Sequence, residues 1–433
     1  MLEKLKQAAT TVRSKTAKST MPVSTGQYMV ALDVGTEFVK ALIAKVTDDG
    51  AEIIGVGRAH QGLSDMQAGA VSDISSVVAN CDAALNQAEQ QAGVTAKSVI
   101  IGIAGELVKG TTTTVIFKRK ESGKPMDMAE MEHIISLTQK RAEAKAREQV
   151  TWELGGKEVE LKLVNSALVG IVIDGYAVTN PIGFQGKEVR VQLYTAFAPL
   201  IHIGALERVA EQLDLDLLAV AAEPFAVARS VIGNDASTNM SAILVDVGGG
   251  TTDIAVVNEG GVEGTKMFGI GGRAYTKSIA RDLGVDFDDA EILKLHVASE
   301  RIGEKKLEAV KAALDKTLGV WLSGVELALG EFTKLDHLPH RILLCGGGAS
   351  LDMLVEALEQ QDWYKDLPFT RKPAIQHLEP DEVVGIIDTT NKANDHTFIT
   401  AMGLLRVGLD TIGPSGTSSK TSIRQKINKM LRV

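Results

Sequence analysis

Two segments of this 433-residue chain carry the residue types that bind phosphate groups. One is Asp33-Val34-Gly35-Thr36, between the apolar runs Tyr28–Leu32 and Phe38–Val46. The other is Asp246-Val247-Gly248-Gly249-Gly250-Thr251-Thr252-Asp253, entered from the apolar run Ala242–Val247. A turn built from small residues lets successive backbone N–H groups converge on phosphate oxygens. The hydroxyls of Thr36, Thr251 and Thr252 add donors. An aspartate at a strand end, here Asp33 and Asp246, can hold Mg2+ through water, because that ion keeps most of its hydration shell. Two such hairpins face to face would clamp the phosphates of a nucleotide between two domains. An ordinary hairpin with a glycine turn also reads Asp-Val-Gly-Thr; Gly248–Asp253 between two apolar strands is far more specific. Neither segment is a Walker A loop, since no Gly-Lys-Ser/Thr follows. Neither is a dinucleotide fingerprint, since a strand rather than a helix follows the turn.

Further segments join these two. Gly346-Gly347-Gly348-Ala349-Ser350 closes an apolar strand, Arg341–Leu344, and backbone so unencumbered suits a flat adenine ring or a ribose. Gly269–Gly272, including Gly271 and Gly272, precedes a helix. Glu291 and Lys294 sit one turn apart on a later helix, within reach of ribose or base; an exposed ion pair would show the same spacing. Glu223-Pro224 places a carboxylate where the chain turns from the strand Leu217–Ala221 into a helix. His337 and His340, the close histidine pair, lack the cysteine or carboxylate company of a metal site.

These residues need a large scaffold. At 433 residues, 45% apolar and 23% charged, the chain fits a soluble protein of two or three domains. Aromatics are only 4%, so the cores rest on Val, Ile, Leu and Ala. Cys81 and Cys345 have no metal-ligand spacing and suit a reducing compartment. No apolar run approaches the roughly 18–20 residues of a membrane span. No signal-peptide core precedes residue 30. The expected location is the cytoplasm. The net charge of −9 is uneven: residues 1–18 carry +4, residues 419–433 carry +5, and the remainder −18. Basic ends on an acidic body point to an anionic surface rather than to nucleic acid.

Along the chain, a basic arm (1–26) precedes the first hairpin and a third strand at Ala51–Gly57. A helix is expected over Ser72–Gly93, capped by Ser72 or Asp73, with a buried strand at Val99–Ile103. Residues 106–196 differ in character. A Thr-rich strand (Gly110–Phe117), a charged loop (Lys118–Lys124) and a charged helix (Met128–Gln149) read as an inserted subdomain. A helix at Ile203–Gln212 and a strand at Asp216–Ala221 return to the first domain. Mostly helical stretches are expected at Asp288–Gly303 and Lys305–Leu329. The expected division is 27–105 and 197–240 for the first lobe, 241–388 for the second, 389–411 back in the first, a linker at 412–419 and a basic helix at 420–433.

In this order the segments resemble the actin/Hsp70 ATPase superfamily. Asp33–Thr36 and Asp246–Asp253 look like its phosphate loops, Glu223–Ser230 and Thr400–Leu405 its connecting helices, and Ile342–Leu351 its adenosine loop. The resemblance implies an α/β, two-lobed actin-like (ribonuclease-H-like) fold that binds ATP and Mg2+, with Asp33 and Asp246 organising the ion. It further implies that Glu223, with Asp246, positions or activates the attacking water. An insertion after Val99–Gly105 resembles the FtsA family, as do Ile53–Gly57, Gly69–Asp73, Asn180–Gly183 with Gly186, and Ala290-Glu291 with Lys294. The expectation from that resemblance is a filament-forming protein with slow or no hydrolysis. It would tether FtsZ filaments to the cytoplasmic face of the membrane at the division site.

The C-terminal segment supports a membrane role on its own terms. Ile423, Ile427, Met430 and Leu431 fall on one helical face, flanked by Arg424, Lys426, Lys429 and Arg432. Such a helix would fold as its apolar face enters the headgroup region and its bases meet anionic lipid. The N-terminal arm carries a second stripe, Leu2, Leu5, Ala9 and Val12, and reads either as a second membrane foot or as a disordered arm. Lys277 stands where the family often has an acid. The alternatives are a PilM-like scaffold of type IV pilus assembly, which would not need the basic tail, and a small-molecule kinase, for which no substrate-base motif is found. An Hsp70-type chaperone would need a further β-rich domain after residue 410.

Overall fold

The computed structural model of the chain describes residues 23–232, 240–297, 303–360 and 362–412. Runs rich in Val, Ile and Ala form an antiparallel meander of β1 (Val23–Val34), β2 (Phe38–Val46) and β3 (Ala51–His60). Its register sets Asp33 opposite Lys40, and Lys40 opposite Arg58. A small ribbon, β4 (Met66–Gln67) and β5 (Ala70–Val71), leads into α1 (Ile74–Ala92). Asp73 caps α1 by accepting from the Ser75 and Ser76 N–H groups, and Gly93 ends it in the left-handed region at φ 68°. Helix α1 lies so close on β3 that a Cβ at Gly57 would stand 1.8 Å from the Ala84 carbonyl oxygen. β6 (Thr95–Ile103) then pairs in parallel with β1.

The insertion comprises β7 (Lys109–Lys118), α2 (Met128–Glu153), β8 (Leu161–Ile173), β9 (Tyr176–Ala177) and β10 (Glu188–Pro199). The apolar stripe of α2, including Met131, Ile134 and Ile135, packs on Ile171, Val189, Val191 and Leu193 in a core of its own. The charged loop after β7 is closed by buried Arg119. That side chain forks onto Glu130 with two bonds of 2.7 Å and also donates to the Lys124 carbonyl at 2.8 Å. Helix α3 (Leu200–Gln212) and β11 (Asp216–Ala222) complete the return, and α4 (Glu223–Ile232) crosses toward the second half.

There the meander recurs as β12 (Ala242–Val247), β13 (Thr252–Asn258) and β14 (Gly261–Phe268). It is followed by α5 (Gly272–Leu283), α6 (Phe287–Leu295), α7 (Glu304–Gly330), β15 (Arg341–Cys345), α8 (Asp352–Gln360), β16 (Ala374–His377), β17 (Ile386–Asp388) and α9 (Ile399–Ile412). The helix expected over Asp288–Gly303 ends instead at Leu295. There the His296 N–H turns back onto the Ile292 and Leu293 carbonyls.

Two sheets result. One has the order β11-β6-β1-β2-β3-β17, the other β16-β15-β12-β13-β14-β7-β10-β8-β9. The insertion leaves and rejoins the chain between β6 and β11 of the first sheet, yet its strands hydrogen-bond to the second. The seam is short, with Thr111 opposite Gly264 and Gly110 opposite Thr265. It needs the glycine: a Cβ at Gly110 would lie 2.1 Å from Thr265 Oγ1 and 2.3 Å from the Tyr194 hydroxyl. One apolar core runs between the sheets, with residues of α4 and α9 at its centre. These two helices cross where a Cβ at Gly403 would lie 2.4 Å from the Ala226 carbonyl oxygen. A second core lies on the outer face of β12–β15, against α5, α7 and α8.

Candidate functional site

A cleft of about 910 Å3 lies between the two lobes. Asp33, Gly35 and Thr36 reach it from the β1–β2 turn, Gly248, Gly249 and Thr251 from the β12–β13 turn, and Glu223 from the first residue of α4. The two turns touch. A Cβ at Gly249 would stand 2.8 Å from Glu37 Cβ, and one at Gly250 would stand 2.7 Å from Thr36 Oγ1. Small residues were expected here for approach to a phosphate, and they serve equally for the approach of one turn to the other.

Four carboxylates converge on the floor of the cleft. Asp33, Glu223, Asp246 and Asp253 all line it and all are buried. The cation among them is Lys40, whose Nζ lies 2.9 Å from Asp33 Oδ2. Burial lifts the Glu223 carboxyl well above its usual range, the Asp33, Asp253 and Asp246 charges push it further, and Lys40 pulls against them. Burial and then the Asp246 charge do the same for Asp253, against a 2.9 Å hydrogen bond from the Thr251 hydroxyl. Asp246 is raised by burial, although the Thr400 hydroxyl donates to it and Lys40 lies near. Burial works against the charge on Lys40, but the Asp33 charge and hydrogen bond outweigh it and hold that amine above its ordinary value. Buried negative charge in this excess calls for a cation. The donors are all oxygen, the kind a hard divalent ion takes, and Asp253 Oδ1 is buried without a hydrogen-bond partner. Among the described residues no three Asp, Glu, His or Cys side chains form a direct ligand set. A magnesium ion would therefore be held through its waters.

The glycine turn after β15 adjoins this floor. Gly346 has φ 85°, and a Cβ there would lie 2.0 Å from Asp246 Oδ1. The turn is braced from behind by two histidines stacked 4.4 Å apart. His377 Nε2 lies 3.0 Å from the Ala349 carbonyl, and His396 Nε2 lies 3.0 Å from Ser350 Oγ. Gly347, Gly348 and Ser350 line the cleft beside it.

Glu291 and Lys294 also line the cleft, and they are not the exposed pair that their spacing allowed. Lys294 is 8% exposed, lies 2.7 Å from Glu291, and donates to the Gly272 carbonyl at 3.2 Å and to Thr276 Oγ1 at 2.8 Å. Gly272 is in the lining, whereas Gly250, Thr252 and Gly271 are not. Thr252 corrects the expectation of a phosphate donor. Its hydroxyl donates to the Ile270 carbonyl at 2.6 Å and accepts from the Trp321 indole at 2.9 Å on the far side of the strand. The expected membrane residues Ile423, Arg424, Ile427, Met430 and Leu431 lie outside the described residues. Among the described residues no helix is long and apolar enough to cross a membrane.

Several lining residues were not singled out from the sequence. Lys40 could have been: counting outward from the β1–β2 turn sets it opposite Asp33. Arg273, at the start of α5, carries no local signal, because its partners lie in the other lobe.

Comparison with known proteins follows the same lines. Residues 243–403 match a family model described as cell division protein FtsA. The chain is 26% identical over 404 residues to the cell division protein FtsA of Neisseria meningitidis serogroup B, covering 88% of this chain and 89% of that protein. It is 25% identical over 414 residues to that of Pseudomonas aeruginosa, covering 89% and 90%. Among solved structures it is similar to the PilM-PilN type IV pilus biogenesis complex. There the TM-score is 0.64 and the identity 16%, over 89% of this chain and 99% of that one, a likeness of fold alone.

Proposed function

We propose, for a chain that is FtsA-like in sequence and actin-like in its two-lobed fold, that the cleft binds ATP with Mg2+ and that the protein works in cell division as a filament-forming membrane tether. The observation that carries the nucleotide reading is the floor of the cleft. Two glycine turns meet there over four buried carboxylates and one lysine, beside a third glycine turn open to a flat ring. Asp33 and Asp246 would organise the ion, and Mg2+ bound there would offset phosphate charge. Gly35, Thr36, Gly248, Gly249 and Thr251 would face the phosphates. Gly347, Gly348 and Ser350, with the Glu291–Lys294 knot behind Gly272, would border the nucleoside.

Glu223, buried on the floor of the cleft, would hold the water that attacks the terminal phosphate. Burial and the charges of Asp33, Asp253 and Asp246 favour the protonated form of Glu223, which can orient a water but cannot take a proton from it. That supports slow or absent hydrolysis.

The membrane and filament parts rest on the sequence. The C-terminal face of Ile423, Ile427, Met430 and Leu431 with its flanking bases suits an anionic lipid surface. FtsZ-type filaments are the partner implied by similarity to FtsA proteins. A pilus scaffold is favoured only by the fold likeness at 16% identity. The deciding experiment is co-sedimentation with anionic liposomes and ATP, comparing the full chain with one ending at Thr411. Filaments on lipid from the full chain alone uphold the tether. If both forms stay soluble and unassembled, the tether is lost.

A further inference from the structure

Arg273 is a buried cation, 6% exposed, that the nucleotide reading leaves without a task. It belongs to the second lobe by sequence and to both lobes by contact. Its backbone N–H donates to the Gly249 carbonyl at 2.8 Å, inside the β12–β13 turn. Its side chain crosses to the first lobe. There Nε lies 2.6 Å from Glu37 Oε2, and the second guanidinium branch donates to the Gln61 carbonyl at 3.1 Å.

What the side chain grips is tied to the β1–β2 turn. Glu37 follows Thr36 directly, and its other oxygen lies 2.8 Å from His60. Gln61 is fully buried. Its N–H donates to the Glu37 carbonyl at 2.9 Å and its side-chain amide to the Gly35 carbonyl at 3.3 Å. The Gln61 oxygen accepts from Asn80 of α1 at 2.6 Å, which anchors the loop to the body of the lobe. One residue thus holds both glycine turns, the second by its backbone and the first by its side chain.

A planar guanidinium with donors in a fixed fork suits this task, which a lysine's point charge cannot reproduce. A hydrogen-bonded pair with its cation buried and its carboxylate partly so is also costly to break, because Arg273 is left with unmatched charge. The turns can move apart only if Arg273 releases Glu37 and the Gln61 carbonyl.

We propose that Arg273 is a positioning residue that locks the two turns in register and so sets how fast nucleotide enters and leaves the cleft. This rests on the nucleotide reading above, and the test separates the two. Full-length wild type, Arg273→Ala, Arg273→Lys and Glu37→Gln are compared by stopped flow with a fluorescent ATP analogue and Mg2+. Each is also measured for the distance between spin labels at Asp48→Cys and Glu308→Cys, since Cys81 and Cys345 are buried.

For Arg273→Ala, association and dissociation should both quicken by roughly tenfold or more while affinity changes much less, and the label distance should lengthen. Arg273→Lys should fall between wild type and Arg273→Ala. Unchanged rates and distances overturn the lock. So does a faster dissociation with unchanged association, which would mark a simple nucleotide contact. If wild type binds no analogue, the nucleotide reading fails, and the distances alone decide the lock. If Arg273→Ala does not fold, Glu37→Gln carries the same comparison.

Discussion

The rings of Tyr194 and Phe225 stack 5.2 Å apart with their planes 5° from parallel. Tyr194 belongs to β10 of the insertion, Phe225 to α4, and the Tyr194 hydroxyl lies 3.3 Å from Thr265 Oγ1 on β14. Insertion, first lobe and second lobe therefore meet at one aromatic pair, two residues along α4 from Glu223. Phe225→Ala should cost about 3–5 kcal/mol in denaturant unfolding, the usual cost of emptying an aromatic site. Tyr194→Phe, which loses one neutral hydrogen bond, should cost about 1 kcal/mol.

Gly110 tests the seam between the insertion and the second lobe. In Gly110→Val the new side chain meets Thr265 Oγ1 and the Tyr194 hydroxyl, and overpacking of this kind costs about 1–3 kcal/mol. Hydrogen exchange should show lost protection at Gly264 and Thr265, with the β7–β10 pairing preserved. Equal loss along the whole of β7 would mean that the insertion has no independent stability.

Lys40 is the counter-charge of the floor. Lys40→Met should destabilise the protein by about 3–5 kcal/mol, because it leaves Asp33 buried among acids. The double variant with Asp33→Asn should recover much of that loss in a denaturant titration. An exposed pair would instead be nearly neutral to both changes.

Asp253 gives the pH dependence its sign. Burial and the Asp246 charge raise its carboxyl well above the ordinary range. The folded protein thus holds this proton more tightly than the unfolded chain, which releases it near pH 4, a difference that favours folding at low pH and fades as pH rises. The thermal midpoint, scanned without nucleotide or Mg2+, should fall as pH rises above about 4. Asp253→Asn should flatten that fall, while weakening binding of Mg2+ and nucleotide.

Local chemistry made much of this legible in the sequence. Asp33 and Asp246 reach the cleft because each ends an apolar strand before a glycine turn, and Asp73 and Gly93 bound a helix by ordinary capping. Thr252 shows where that reading needed a second step. Thr251 still lies in the turn, whereas Thr252 begins β13 and its hydroxyl is taken up by the Ile270 carbonyl and the Trp321 indole. Lys40 needed only the register of a hairpin. Arg273 and the β7–β14 seam were beyond reach, since their partners are brought together by tertiary packing. The Thr112 hydroxyl bonds a carbonyl 150 residues away.

That separation has a consequence for how the chain is made. A ribosome adds residues at about 5–20 per second, so the outer edge of β7 emerges roughly eight to thirty seconds before β14 can cover it. An unpaired strand edge invites association with other nascent chains. The run Thr111–Phe117 along that edge is uncharged and mostly β-branched, the composition that pairs most readily, so the wait is a period of exposure. The threonines that complete the sheet in the finished protein would then be what the chain has to keep covered during its synthesis.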